Sequence, residues 1–178
     1  MIGRISRRSA LWIAIAALVL VACGPGTNEV TPEGAMPTEW DVYRDPTFGF
    51  QVPYPADWTF TEADISQAAE VPLERVLNFW PPQYQTGVPP ISVEVAHGTQ
   101  DMMTMWPITG AEVFTQTVLY DKDVLIAGGI EGDIFYIFRD PADSQLWVAI
   151  RDSITFSQGN EPRQIVDRMV EGFQFTGP

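Results

Sequence analysis

Apolar and polar residues alternate in short runs through most of residues 41 to 178, the signature of β-strands with at least one buried face. Phe48, Phe50 and Val52 share a face at period two. Pro53 and Pro55 stop that run, and Trp58 and Phe60 begin another, so Tyr43 to Trp58 reads as strand, turn, strand. Further strands are predicted near Arg75 to Trp80, Ile91 to His97, Val118 to Ala127, Asp133 to Arg139 and Gln145 to Arg151. Ile134 to Phe138 and Leu146 to Ile150 are apolar on both faces, as expected of central strands covered on two sides. Asp140-Pro-Ala-Asp-Ser144 supplies a hairpin loop, so these two strands should lie side by side near the sheet centre. Gly128-Gly129-Ile-Glu-Gly132 reads as a turn or bulge between strands. The period changes to a helical one at two places. Thr61 to Glu70 predicts a short helix stopped before Pro72. Asn160 can cap a helix with Pro162 in its first turn; Ile165, Val166, Met169 and Phe173 form its apolar stripe, and Gly172 is placed to end it.

The amino-terminal segment has a different pattern. Arg4, Arg7 and Arg8 precede an uncharged run of 13 residues, Ala10 to Ala22. As a helix this run would measure roughly 20 Å against a hydrocarbon core of about 30 Å, which suits a signal peptide better than a membrane span. Leu20-Val21-Ala22-Cys23 resembles a bacterial lipobox, and Cys23 is the chain's only cysteine. The resemblance implies cleavage before Cys23 and a diacylglycerol on its sulfur, which places the protein on the extracytoplasmic face of the cell envelope, anchored to a membrane but not spanning it. Gly24 leaves the choice between inner and outer membrane open. Residues 1–22 are thus read as a lipoprotein signal peptide, 23–40 as a lipidated flexible tether reaching roughly 20 to 25 Å, and 41–178 as one globular domain.

Charge sharpens this picture. The full chain has 10 basic and 23 acidic residues; removing Arg4, Arg7 and Arg8 with the leader leaves 7 against 23, or −16. Such a field repels nucleic acid and favours cations and basic partners.

A second resemblance lies in the domain itself. An aromatic, then Gly49-Phe50, an alternating strand, Tyr54-Pro55 followed by Trp58, and a further strand are similar to the opening of the PsbP-like domains. Phe173-Gln-Phe175 resembles the short closing strand that follows their last helix. This family includes oxygen-evolving-enhancer proteins of photosystem II, a Ran-binding nuclear import factor and many bacterial lipoproteins. The resemblance implies an α+β fold in which a central antiparallel sheet is sandwiched between helices, an α/β/α arrangement. It implies no catalytic residues, because the shared positions are turn formers and core aromatics.

Catalytic chemistry finds little to use. The only histidine, His97, ends a strand and shows no evident partner in the sequence, and no nucleophile elbow or paired-histidine metal motif is present. No enzyme activity and no cofactor are expected, although a carboxylate-based hydrolase would leave little trace in sequence. Candidate binding residues are Trp80 and Tyr84 in the proline-rich loop to Pro90, and Met102, Met103, Met105 and Trp106. The methionines are read as core filler before a soft-metal site for copper. Asp121, Asp123, Glu131, Asp133, Asp140 and Asp143 fall in predicted turns without the ligand register of a calcium loop. The expectation is a non-catalytic lipoprotein that binds a protein partner or assists an envelope complex, with a small-ligand or cation binder as the alternative.

Overall fold

A computed structural model of the chain describes residues 36–65, 73–83, 87–98, 114–128, 132–153 and 160–177. All of them fall in one compact unit, Gly34–Pro178. The strands are β1 (Trp40–Asp45), β2 (Phe50–Pro55), β3 (Thr59–Glu62), β4 (Leu73–Trp80), β5 (Ile91–His97), β6 (Phe114–Leu119), β7 (Lys122–Gly128), β8 (Ile134–Arg139), β9 (Leu146–Asp152) and β10 (Gln174–Phe175). Among the described residues one helix, α1 (Asn160–Gly172), lies between β9 and β10. Among the described residues no helix is long and apolar enough to cross a membrane.

The strands form two antiparallel sheets. One has the order β1-β2-β10 and the other the order β3-β4-β5-β9-β8-β7-β6. β8 and β9 are neighbours and β9 is the middle strand of seven, as their two-sided apolar pattern predicts. On one face of the large sheet, Leu77, Phe79, Val93, Val95, Phe138, Val148 and Ile150 pack with Phe50 and Val52 of β2 and with Ile165, Val166 and Met169 of α1. Phe173 is the hub of this core. Its ring lies 4.3 Å from Phe138, 5.0 Å from Phe175 and 5.9 Å from Phe50, so it touches both sheets immediately after the helix ends. The opposite face carries a smaller cluster of Ala96, Ala127, Phe135, Ile137 and Ala149, flanked by Leu73, Leu125 and Trp147.

This corrects the expected α/β/α sandwich. The fold is mostly β, and the cover on the first face is shared between α1 and a second sheet. No helix covers the second face among the described residues. An apolar strand face calls for a cover without specifying whether a helix or a sheet supplies it. The predicted helix from Thr61 is also overturned at its start. Thr61 and Glu62 belong to β3, and the Ala63 amide continues the ladder to the Val76 carbonyl at 2.8 Å. Residues 66–70 of that segment lie outside the described residues.

A third difference concerns Val118 to Ala127, expected as one strand. It is a hairpin: β6 and β7 pair antiparallel, and the two residues between them, Tyr120 and Asp121, have φ of 50° and 61°. Such a two-residue turn needs left-handed backbone at both positions, for which Asn-Gly is the usual sequence. Lys122 anchors the turn by donating from Nζ to the Glu171 carbonyl at 2.6 Å, in the last turn of α1, where the helix dipole favours a cation.

The motif residues of the domain's opening have structural tasks. Gly49 has φ 59°, a conformation costly for a side chain, and its carbonyl accepts the Thr176 amide at 2.7 Å. Gly172 closes α1 against β2 so tightly that a Cβ there would stand 2.5 Å from Pro53 Cγ.

Candidate functional site

The side chains with most chemistry converge where β4, β5 and the β8–β9 loop meet. Two devices place them. The register of β4 shifts between Leu73 and Arg75, so Glu74 sits in a bulge, which re-aims side chains at a strand end. The β8–β9 loop is held by its own aspartates: Asp140 Oδ1 accepts the Ala142 amide and Asp143 Oδ1 accepts the Gln145 amide, each at 2.9 Å. The Gly98 amide then ties the end of β5 to the Gln145 carbonyl at 2.9 Å.

His97 therefore has partners on both sides. Its Nε2 lies 3.0 Å from Asp143 Oδ2, and its Nδ1 lies 3.7 Å from Glu74 Oε1. The Gln145 amide, and after it His97, hold the Asp143 carboxyl below its ordinary range. The expectation that His97 lacks a partner is thus corrected. The two residues of the closer pair are 46 apart in sequence and meet only because β5 pairs with β9. This arrangement also limits the chemistry. One metal ion cannot bind carboxylates that approach opposite ring nitrogens, and among the described residues no group of three His, Cys, Asp or Glu could hold a metal. To act as a general base, His97 would first have to leave one of these contacts.

Two open grooves flank the β8–β9 loop on opposite faces of the large sheet. One, of about 420 Å³, is lined by Phe48, Glu74, His97, Asp143 and Leu146, and the other, of about 550 Å³, by Asp123, Leu125, Ile137, Arg139 and Trp147. Asp140, 6% exposed, lines both. In the larger groove the Arg139 guanidinium lies 5.0 Å from the Trp147 ring centroid, and its Nε donates to the Ser144 carbonyl at 2.8 Å. The result is an apolar floor with a rim that carries several carboxylates and one ordered cation.

A buried polar corner supports the smaller groove. Asp45 caps the β1–β2 turn, its Oδ1 accepting the Thr47 and Phe48 amides at 2.9 and 3.1 Å. Its Oδ2 accepts from the Tyr43 hydroxyl at 3.0 Å and from Arg75. Arg75 also donates from Nε to Glu62 Oε1 at 3.1 Å and lies 5.2 Å from the Phe48 ring centroid. Burial alone would raise the Asp45 acid midpoint, but hydrogen bonds from Arg75, from both amides and from Tyr43 outweigh it and hold the carboxyl below its ordinary range. Tyr43 is pushed up to about 12 by burial and by the Asp45 charge beside it. On the second sheet face, Arg151 Nε donates to Asp133 Oδ2 at 2.8 Å, and Glu94 Oε1 accepts from Ser92 Oγ at 3.0 Å.

The residues singled out in the sequence fall elsewhere. Trp80 is half-buried at the end of β4, and its indole Nε1 donates to Thr61 Oγ1 at 3.1 Å. Cys23, Tyr84, Met102, Met103, Met105 and Trp106 lie outside the described residues, as does Glu131. Of the turn carboxylates, Asp140 and Asp143 cap their loop, Asp133 pairs with Arg151, Asp121 is in the β6–β7 turn, and Asp123 is on β7.

Fold and site together define a two-sheet antiparallel β-domain with an acid-rimmed double groove. No family model matches the sequence, and no curated protein matches it. Among solved structures the chain is similar to cyanobacterial PsbP (CyanoP) from Synechocystis, with 10% identity, a TM-score of 0.48, and coverage of 88% of this chain and 98% of that one. It is also similar to the Ran-binding protein Mog1p of Saccharomyces cerevisiae, with 12% identity, a TM-score of 0.39, and coverage of 80% and 97%. The first bears the name of the family that the opening and closing motifs of the sequence resemble.

Proposed function

We propose that this chain is a lipoprotein held on the extracytoplasmic face of a membrane through Cys23, and that its β-domain is a non-catalytic module which binds a protein partner by a basic segment of that partner. The carrying observation is the double groove. Glu74, Asp140 and Asp143 line a groove floored by Phe48 and Leu146 on one side of the β8–β9 loop, and Asp123 and Asp140 line a groove floored by Leu125, Ile137 and Trp147 on the other. A basic segment with one or two apolar side chains matches both features, and the overall charge of −16 after leader removal would steer it in. The tether keeps that encounter close to the bilayer.

The test is a photo-cross-linking residue placed at Ala142 in the full lipoprotein in its native membrane. The expected result is one reproducible adduct, lost in Glu74→Lys with Asp123→Lys and absent when the cross-linker sits at Val42. Adducts indifferent to that charge reversal would overturn the reading. Cys23→Ala should release the protein from the membrane fraction; unchanged fractionation would remove the anchor from the proposal. A second reading is a small cationic or amphipathic ligand, favoured by the larger groove, whose size lies within the range of small-molecule sites, about 300 to 1,000 Å³. It predicts calorimetric binding of small amines at micromolar concentration without any protein adduct.

A further inference from the structure

β9 ends on a carboxylate that the fold buries without satisfying. Asp152 is 2% exposed and follows Leu146, Val148 and Ile150 at period two, on the face covered by α1. Its partners across the ladder are Ile91 on β5 and Ile134 on β8, which offer no polar side chain. Among the described residues its Oδ1 has no hydrogen-bond partner, although buried carboxylate oxygens are as a rule satisfied. The charges that act on it come from two directions. Arg163 and Asp167 belong to α1, and Asp133 precedes β8. On β8 itself, Tyr136 feels Arg163, Asp167 and Asp152 together. One arginine, Arg163, thus acts on Asp152 against two other carboxylates, and Asp133 is already bonded to Arg151.

We infer that Asp152 is a proton-operated latch between the large sheet and α1, seated when it carries a proton and loosened when it is ionised. Protonation removes a buried charge and gives the carboxyl an O–H to donate; ionisation leaves a charge under the helix with one oxygen unanswered. Burial raises its acid midpoint to about 6; Arg163 lowers it, and Asp133 and Asp167 raise it. The folded state therefore holds this proton more tightly than the unfolded chain, whose value is near 3.8. Seating gains as pH falls through about 6, is complete below about 4, and is lost as pH rises through about 6.

The experiment is hydrogen exchange on the full chain in detergent micelles, followed in peptides covering residues 163–170 and corrected for the intrinsic pH dependence. In the wild type the opening equilibrium of α1 should fall about tenfold between pH 7.5 and pH 5, and in Asp152→Asn it should be flat over that range. Equal pH dependence in both proteins, or none in the wild type, would overturn the latch. If Asp152→Asn does not fold, the wild-type carboxyl titration followed by carbon-13 chemical shift decides. A midpoint near 6 supports the latch, and one near 4 excludes it.

Discussion

Asp45 and Asp152 are both 2% exposed, and the molecule treats them in opposite ways. At the β1–β2 corner four donors surround Asp45, and its charge is held at low pH. At the junction of β9 with α1, Asp152 has an oxygen with no partner among the described residues and takes up its proton near pH 6. Burial is nearly identical, so the neighbouring donors and charges decide whether a buried carboxylate serves as a fixed strut or as a titrating group. The corner that carries the family resemblance is the fixed one, and it supports the wall of a groove.

The comparison can be broken most severely at Arg75. Arg75→Leu leaves Asp45 covered without its cation and should cost about 3 kcal/mol, read as a fall in the urea midpoint at pH 7. An unchanged midpoint would mean that the corner does not depend on its ion pair. At the other carboxylate the sign reverses. Asp152→Asn should stabilise the protein at pH 7.5 by up to about 3 kcal/mol, the equivalent of its raised midpoint, and by nothing at pH 4. Asp45 works the other way, because its depressed midpoint supplies stability above the unfolded value that is lost as pH falls through the folded one. The wild-type stability profile should therefore peak near pH 4 and fall between about pH 4 and 6, and in Asp152→Asn the peak should become a plateau reaching neutrality. A wild-type maximum at pH 7 or above would contradict the contrast. Tyr43→Phe, which removes one of four donors to Asp45, should cost about 1 kcal/mol in the same urea assay. The smallest effect belongs to His97→Gln. Its contacts are 40% to 48% exposed, so the thermal midpoint should hardly move while the cross-linking pattern at Ala142 changes.

Strands with strong alternation are legible in the residue pattern alone: β5, β8 and β9 fall close to the predicted ranges, and α1 carries the predicted apolar stripe. Three features are not. The β6–β7 turn is built from Tyr120 and Asp121 with no glycine, so the usual punctuation is missing. Thr59–Glu62 is a strand because it pairs with β4, a long-range contact that local pattern does not encode. The ligand surface depends on which strands become neighbours. Local pattern places Asp143 in a loop and His97 at a strand end, but their meeting requires the β5–β9 pairing and the bulge that turns Glu74. Trp80 and Tyr84 stand out in the sequence as contact anchors, yet Trp80 spends its indole on Thr61.

The tie of Thr176 to Gly49, together with Phe173 at the meeting of both sheets, bears on the order of events during synthesis. Gln174 pairs with Gln51 across a separation of 123 residues, so the smaller sheet gains its third strand only when the carboxy-terminal segment is available. A chain that emerges amino-terminus first keeps Phe50 and Phe138 without their common ring until then. Contacts of that span are slow to close. The domain is consequently a late folder, sealed by its tail, and its nascent form exposes the core longer than a fold of local hairpins would.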